Sequence, residues 1–202
     1  MIAIADYDAG NINSVEKAVR HLGYDCVTTR KAEEIEKASS LILPGVGAFG
    51  DAMNKLSGYG LVDVIKDFIS SGRPFLGICL GLQLLYEESE EDPGVKGLGI
   101  LEGTIKKIPN KEGLKVPNIG WNSLEFPREG RLFAGISEGT FVYFVHSYYL
   151  HAAKEDTVTA TIDYGTRIDA SVEKDNIFAC QFHPEKSSSE GLKILRNFLE
   201  IG

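Results

Sequence analysis

The chain has no run of about twenty apolar residues, so no helix in it is expected to span a membrane. It has only three cysteines, Cys26, Cys79 and Cys180. They are too few and too widely spaced for a disulfide framework or a zinc pattern. Free thiols suit a reducing compartment. The opening Met1-Ile2-Ala3-Ile4-Ala5-Asp6 has no basic flank and meets an acid too early for a secretory leader, so a cytoplasmic protein is expected. A dense basic stripe is also missing, and the net charge of -8 argues against a nucleic-acid binder. Lys106, Lys107, Lys111 and Lys115 form the one basic cluster, either a solvated face or a contact for an anionic partner or phosphorylated substrate. There is no internal repeat, low-complexity tract or dividing linker, so residues 1–202 are expected to form one domain with most of its apolar surface buried.

What is present reads first as alternating strand and helix. Ile2 to Ala5, Tyr24 to Thr29 and Leu41 to Leu43 are short apolar strands, the last broken at Pro44-Gly45-Val46-Gly47. Ile12, Val15, Val19 and Leu22 follow helical spacing up to Gly23, and Ala32 to Ala38 is a second helix. Ala48 to Leu56 and Leu61 to Ser71 read as helices, followed by a strand through Phe75-Leu76-Gly77-Ile78 and a helix from Leu80 to about Glu88. This order predicts an α/β fold, an open and mostly parallel sheet flanked by helices. Glu87 to Asp92 reads as a solvated acidic loop, since metal binding would need ligands converging from several elements.

Beyond Gly99 the helical period disappears. Strand-like runs occupy Gly103 to Ile108, Trp121 to Phe126, Thr140 to Tyr149, Val158 to Ile162, Ala170 to Lys174 and Ile177 to Phe182. Added antiparallel strands, extending or flanking the first sheet, are expected there. Gly191 to Ile201 closes the chain as an amphipathic helix.

The chemistry centres on Gly77-Ile78-Cys79-Leu80-Gly81. A residue at a sharp strand-to-helix turn is presented as the nucleophile elbow of hydrolases presents its serine. The helix start would favour the thiolate. The plain alternative, a buried core cysteine, is the better reading for Cys26 and Cys180, which sit inside apolar runs. A cysteine nucleophile needs a base held by a third group. His21, late in a helix, and His151, in a polar turn, look like surface residues, and His146 lies at a strand end where it could line a pocket. His183 follows the strand into Pro184-Glu185, so His183 is the best base and Glu185 its orienter, two residues away on the same side of an extended chain. Acyl transfer also needs amide donors for an oxyanion. The Leu80 amide and the Gly45-Val46-Gly47 loop are the candidates, the loop lying at a strand's carboxyl end.

Five segments together resemble the class I (triad) glutamine amidotransferases, whose catalytic set runs Cys, His, Glu. They are Asp8 to Ser14, Pro44 to Phe49, Gly77 to Gln83, Pro117 to Asn122 and Phe182 to Ser187. Within that family they look like the glutaminase subunits of imidazole glycerol phosphate synthases. Anthranilate and carbamoyl-phosphate relatives usually carry histidine where Leu82 stands, and pyridoxal-phosphate glutaminases have a different oxyanion loop. The resemblance implies a flavodoxin-like sheet, no cofactor, and glutamine as substrate. Cys79 would attack its side-chain amide, His183 would protonate the departing ammonia, and water would release glutamate from the thioester. Gln83, one helical turn after Cys79, and the Ser147-Tyr148 backbone would hold the amino-acid end. Ammonia would pass to a separate (βα)8-barrel cyclase subunit that makes imidazole glycerol phosphate and an aminoimidazole carboxamide ribonucleotide in histidine synthesis. Once the glutaminase is built, no residues are expected to remain for a synthase domain. The Gly45 to Gly47 amides are expected to complete the oxyanion hole only in that complex. Trp121 and Asp8 to Asn11 are candidates for its surface, with a buried anchor the alternative for Trp121. A glutaminase serving another synthase, a cysteine hydrolase of similar elbow and a non-catalytic module remain as competing readings.

Overall fold

The computed structural model describes residues 1–201, and its first half alternates strand and helix. β1 (Ile2–Ala5), α1 (Ile12–His21), β2 (Cys26–Thr29), α2 (Ala32–Glu36), β3 (Ser40–Gly45), α3 (Phe49–Gly58), α4 (Leu61–Ser70) and β4 (Phe75–Cys79) follow in turn. β4 runs directly into the single-turn α5 (Leu80–Gln83). The second half supplies β5 (Glu88–Ser89), β6 (Gly103–Lys107), β7 (Asn118–Ser123), β8 (Phe141–His146) and β9 (Tyr148–Ala152). β10 (Val158–Asp163), β11 (Arg167–Lys174) and β12 (Ile177–Cys180) precede the closing α6 (Ser188–Leu199).

Side chains alternate across a strand, and β1 shows the result. Ile2 and Ile4 pack into the layer under α1 and α6, while Ala3 and Ala5 face the layer under α2, α3 and α4. Between the layers lies a seven-stranded sheet in the order β10-β11-β12-β4-β3-β1-β2. The strands from β12 to β2 are parallel; β10 and β11 add an antiparallel edge. The carboxyl ends of β1, β3, β4 and β12 therefore open on one side, where open α/β sheets place their sites. The remaining strands form two small sheets, β5-β6-β9 and the hairpin β7-β8, instead of extending the large one. No described helix is long and apolar enough to cross a membrane.

Several expectations are corrected. The helix after Cys79 ends at Gln83, because the Leu84 and Leu85 carbonyls accept hydrogen bonds from Leu98, Ile100 and Leu101 and so leave the helical ladder. β3 continues through Pro44 and Gly45, which pair with Ile78 and Cys79. The run from Thr140 to Tyr149 is two strands, since β8 pairs with β7 and β9 with β6 in another sheet. His151 lies on the exposed side of β9 rather than in a turn. The acidic run is no free loop. Glu91 Oε2 accepts the Phe49 amide at 2.8 Å and Asp92 Oδ2 the Gly50 amide at 2.7 Å, so two carboxylates cap the first turn of α3.

Candidate active site

Cys79 has φ 56° and ψ -106°, a left-handed conformation that a side-chain-bearing residue adopts at a cost of about 1–3 kcal/mol. In a continuing strand it would share a face with Phe75; here it packs among residues of the opposite layer, beside Ile78. Close approach explains the flanking glycines. A Cβ on Gly77 would lie 2.7 Å from the Gly81 carbonyl oxygen, and one on Gly81 1.8 Å from the Leu43 carbonyl oxygen. The second contact ties the elbow to β3 rather than to its own strand. With α5 only one turn long, the helix dipole behind the thiol is shorter than the sequence suggested.

His183 stands just beyond the end of β12, the strand beside β4. His183 Nδ1 and Glu185 Oε1 lie 2.8 Å apart, with both side chains fully buried. The extended chain does not bring them together: Pro184–Lys186 is a 3-10 turn, pinned where the Lys186 amide and the Ser187 hydroxyl donate to the His183 carbonyl. A carboxylate only accepts, so Nδ1 carries the proton and Nε2 is left for the thiol. Asn11 Nδ2 lies 2.6 Å from the same Glu185 oxygen and 3.2 Å from Nδ1. With Nδ1 already a donor, the amide's acceptor is Glu185.

His183 Nε2 is buried and, among the described residues, forms no well-aligned hydrogen bond. The Cys79 sulfur is nevertheless close enough to act on the ring. Burial pulls the imidazole pKa down, but contact with Cys79 and the bond to Glu185 outweigh it and raise the pKa to about 9. A proton taken up from the Cys79 thiol is therefore held on the ring, which can return it to a leaving group.

Beside Cys79 lies a cavity of about 210 Å³ lined by Val46, Gly47, Cys79, Gln83, Glu91, Val145, His146, Ser147 and Tyr148. A larger, open hollow of about 830 Å³ between Phe126 and Glu173 includes none of these groups. Gly45 pairs with Cys79 at the end of β3. Gly47 has φ +113°, open in practice only to glycine. The Val46 and Gly47 amides donate to no acceptor among the described residues. Leu80 follows Cys79 as the first residue of α5.

The expected substrate contacts are partly occupied. Gln83 is 4% exposed, and its Nε2 donates to the Tyr148 carbonyl and to Gln181 Oε1, each at 3.0 Å. Only its Oε1 is left for a ligand. The Ser147 carbonyl accepts the Ile108 amide. His146, pushed down to about 4 by burial against the partial offset of its bond to the Tyr148 carbonyl, stays neutral. It donates from Nδ1 to that carbonyl at 2.9 Å and accepts at Nε2 from Asn118 at 3.2 Å.

Three residues had no active-site reading in the sequence. Glu91 is the one carboxylate lining the cavity. Asn11 reaches Glu185 across the sheet edge, and Gln181 points at the Cys79 sulfur from 3.5 Å. Only Gln181, two residues before His183, had a positional signal. Among the described residues no group of His, Cys, Asp and Glu converges as a metal site.

Comparison with known proteins bears on this geometry. The family described as glutamine amidotransferase class-I matches residues 3–201. The imidazole glycerol phosphate synthase subunit HisH of Caldanaerobacter subterraneus subsp. tengcongensis is 50% identical over 201 residues, spanning 100% of this chain and 98% of that protein. The same-named subunit of Moorella thermoacetica is 52% identical over 200 residues, spanning 99% of this chain and 94% of the relative. A crystal structure of a glutamine amidotransferase superposes with a TM-score of 0.78 over 100% of this chain and 98% of that one, at 23% identity.

Proposed function

This chain belongs to the class I glutamine amidotransferase family, and from that premise we propose how its site releases ammonia and for whom. It is the glutaminase subunit of an imidazole glycerol phosphate synthase, acting in histidine biosynthesis. The likeness to that subunit over the whole length leaves a glutaminase for another synthase, or a general cysteine hydrolase, without support.

Cys79 is the nucleophile, His183 its base and then the acid for the leaving group, and Glu185 the orienter. Glutamine enters the 210 Å³ cavity with its side-chain amide toward Cys79. The thiol proton passes to His183 Nε2 as sulfur attacks the amide carbon. Amides of Leu80 and of the Gly45–Gly47 loop receive the oxyanion. Collapse of the intermediate breaks the C–N bond, and the imidazolium gives its proton to departing ammonia. Water, deprotonated by His183, then cleaves the thioester to glutamate. At the other end of the substrate, Glu91 faces the ammonium, and Gln83 Oε1 with the Ser147-Tyr148 segment completes the clamp. The observation that carries this reading is the fully buried His183–Glu185 pair beside a strained cysteine at the mouth of that cavity.

The ammonia goes to a (βα)8-barrel cyclase subunit in a cytoplasmic heterodimer, with residues 1–202 acting as one domain. The outer face of β7–β8 suits that contact: Ile119, Trp121 and Phe141 are 60%, 48% and 59% exposed. Docking there activates the site, consistent with the unpaired Val46 and Gly47 amides. The test is glutamine hydrolysis with and without the cyclase subunit and its ligand. Stimulation is expected, and full activity in the isolated chain would refute the control. Cys79→Ala should abolish hydrolysis while leaving cyclisation with added ammonium salt intact; retained hydrolysis would refute the nucleophile.

A further inference from the structure

The chain contains two glutamines, Gln83 and Gln181, and they are hydrogen-bonded to each other beside Cys79. Gln181 is fully buried on the segment that follows β12, with its backbone amide fixed to the Ala170 carbonyl at 2.8 Å. Its side chain bridges Gln83, at 3.0 Å, and the Cys79 sulfur, at 3.5 Å.

The polarity of this chain of groups follows from its far end. The Tyr148 carbonyl can only accept, so the Gln83 atom facing it is the amide nitrogen. That same nitrogen meets Gln181, which must present its oxygen there. The Gln181 NH2 group is then the end that faces sulfur. His146 anchors the series by donating to the same Tyr148 carbonyl. The orientation of a buried amide, usually ambiguous, is therefore dictated by an acceptor two groups away.

We propose that Gln181 is a positioning residue that presents an N–H to the Cys79 sulfur and favours its thiolate. The inference rests on Cys79 being the nucleophile. In the resting thiol the sulfur has, besides His183, two neighbours of opposite kind, the Val145 carbonyl at 3.9 Å and the Gln181 amide at 3.5 Å. Transfer of the proton to His183 Nε2 ends the S–H···O contact and turns N–H···S into a charge-assisted bond, the stronger class. Gln83, Tyr148 and His146 keep the donor aimed while the sulfur changes charge.

Alkylation of Cys79 by iodoacetamide, followed across pH by mass spectrometry of its peptide, reads the thiolate directly. Gln181→Met removes the donor at similar length and should move the midpoint up by about one pH unit, a tenfold loss of thiolate below it. Gln181→Glu keeps an acceptor for Gln83 but turns a carboxylate oxygen to the sulfur, and should move the midpoint further. A midpoint equal to wild type in a folded variant, even with reduced thermal stability, would overturn the proposal and leave Gln181 a packing residue. The unmodified chain gives a second reading. Labelled with 15N-glutamine it shows two side-chain amide pairs, of which one should shift with the alkylation midpoint and respond when Cys79 is blocked. Two pH-silent pairs would refute the idea without any variant. Loss of the proposal leaves the nucleophile assignment standing, whereas glutamine hydrolysis by Cys79→Ala would remove both.

Discussion

Glu185→Gln separates the two things the carboxylate does for His183, holding the ring and supplying charge. Glu185 Oε1 accepts from His183 Nδ1 at 2.8 Å and from Asn11 Nδ2 at 2.6 Å. A glutamine oxygen at the same place accepts both bonds, so the tautomer survives. The other half of the amide then occupies the position of Oε2, a buried atom without a partner, and leaves an unmet donor costing about 1–3 kcal/mol of stability. A hydrogen bond to a charged group contributes about 1.5–3 kcal/mol against 0.5–1.5 for a neutral one. The imidazolium therefore loses roughly 1–2 kcal/mol, about one unit of pKa. Burial pulls in the same direction, with only Cys79 left to oppose it.

The expected result is a His183 titration midpoint, read by NMR, about one unit below the wild-type value near 9. Glutamate release in the complex should fall about tenfold or more. Stability adds a signed test. His183 rises in the fold from 6.5 to about 9, so its stabilising contribution is full below 6.5 and is lost as pH rises through 9. The Tm gap between wild type and variant should be widest at low pH and shrink to a constant remainder, the unmet donor, above 9. An unmoved midpoint with hydrolysis within twofold of wild type would show that the charge of Glu185 does nothing beyond orientation.

Gly81→Ala places a Cβ 1.8 Å from the Leu43 carbonyl oxygen, a backbone atom that cannot swing aside. Denaturation should show a loss of about 1–3 kcal/mol together with weakened hydrolysis, and an unchanged midpoint would deny the close approach. Glu91→Gln keeps an acceptor for the Phe49 amide but removes the charge facing the substrate ammonium, so KM for glutamine should rise about tenfold with little change in kcat. A glutamine analogue without the α-amino group should show no such difference, and equal KM effects for both would sink the assignment. Trp121→Ala should weaken binding to the cyclase subunit at least tenfold while leaving the Tm of the free chain nearly unchanged; unaltered affinity in titration would move the interface elsewhere.

The parallel half of the fold was legible because each strand is a short apolar run closed by a turn and each helix carries its own period. α5 was not. Its end is set by Leu98, Ile100 and Leu101, which take the carbonyls of Leu84 and Leu85 and which no local pattern connects to them. The same limit hid Asn11, far from Glu185 in the chain, and Glu91, whose acidic neighbours looked merely solvated. Cys79, His183 and Glu185 stood out in the sequence because glycine and proline mark the backbone beside them. Gln181 carries no such mark; its place comes from register, since Cys180 pairs with Ile78 and the next residue falls beside Cys79.

Alternation along β8 explains how one short strand meets two demands. On β8, Val142, Phe144 and His146 turn inward and are buried, while Phe141, Tyr143 and Val145 face outward beside Ile119 and Trp121 of β7. The inner face is held by Phe144 against Phe182, at 5.8 Å between ring centres, and by the His183 amide donating to the Tyr143 carbonyl. The Val145 carbonyl touches the Cys79 sulfur, and Val145, His146 and Ser147 line the cavity. The ribbon β7–β8 has no third strand beside it, and it forms a wall of the cavity next to Cys79. A partner covering its outer apolar face would therefore act on that cavity through a single strand, with no longer route across the fold required.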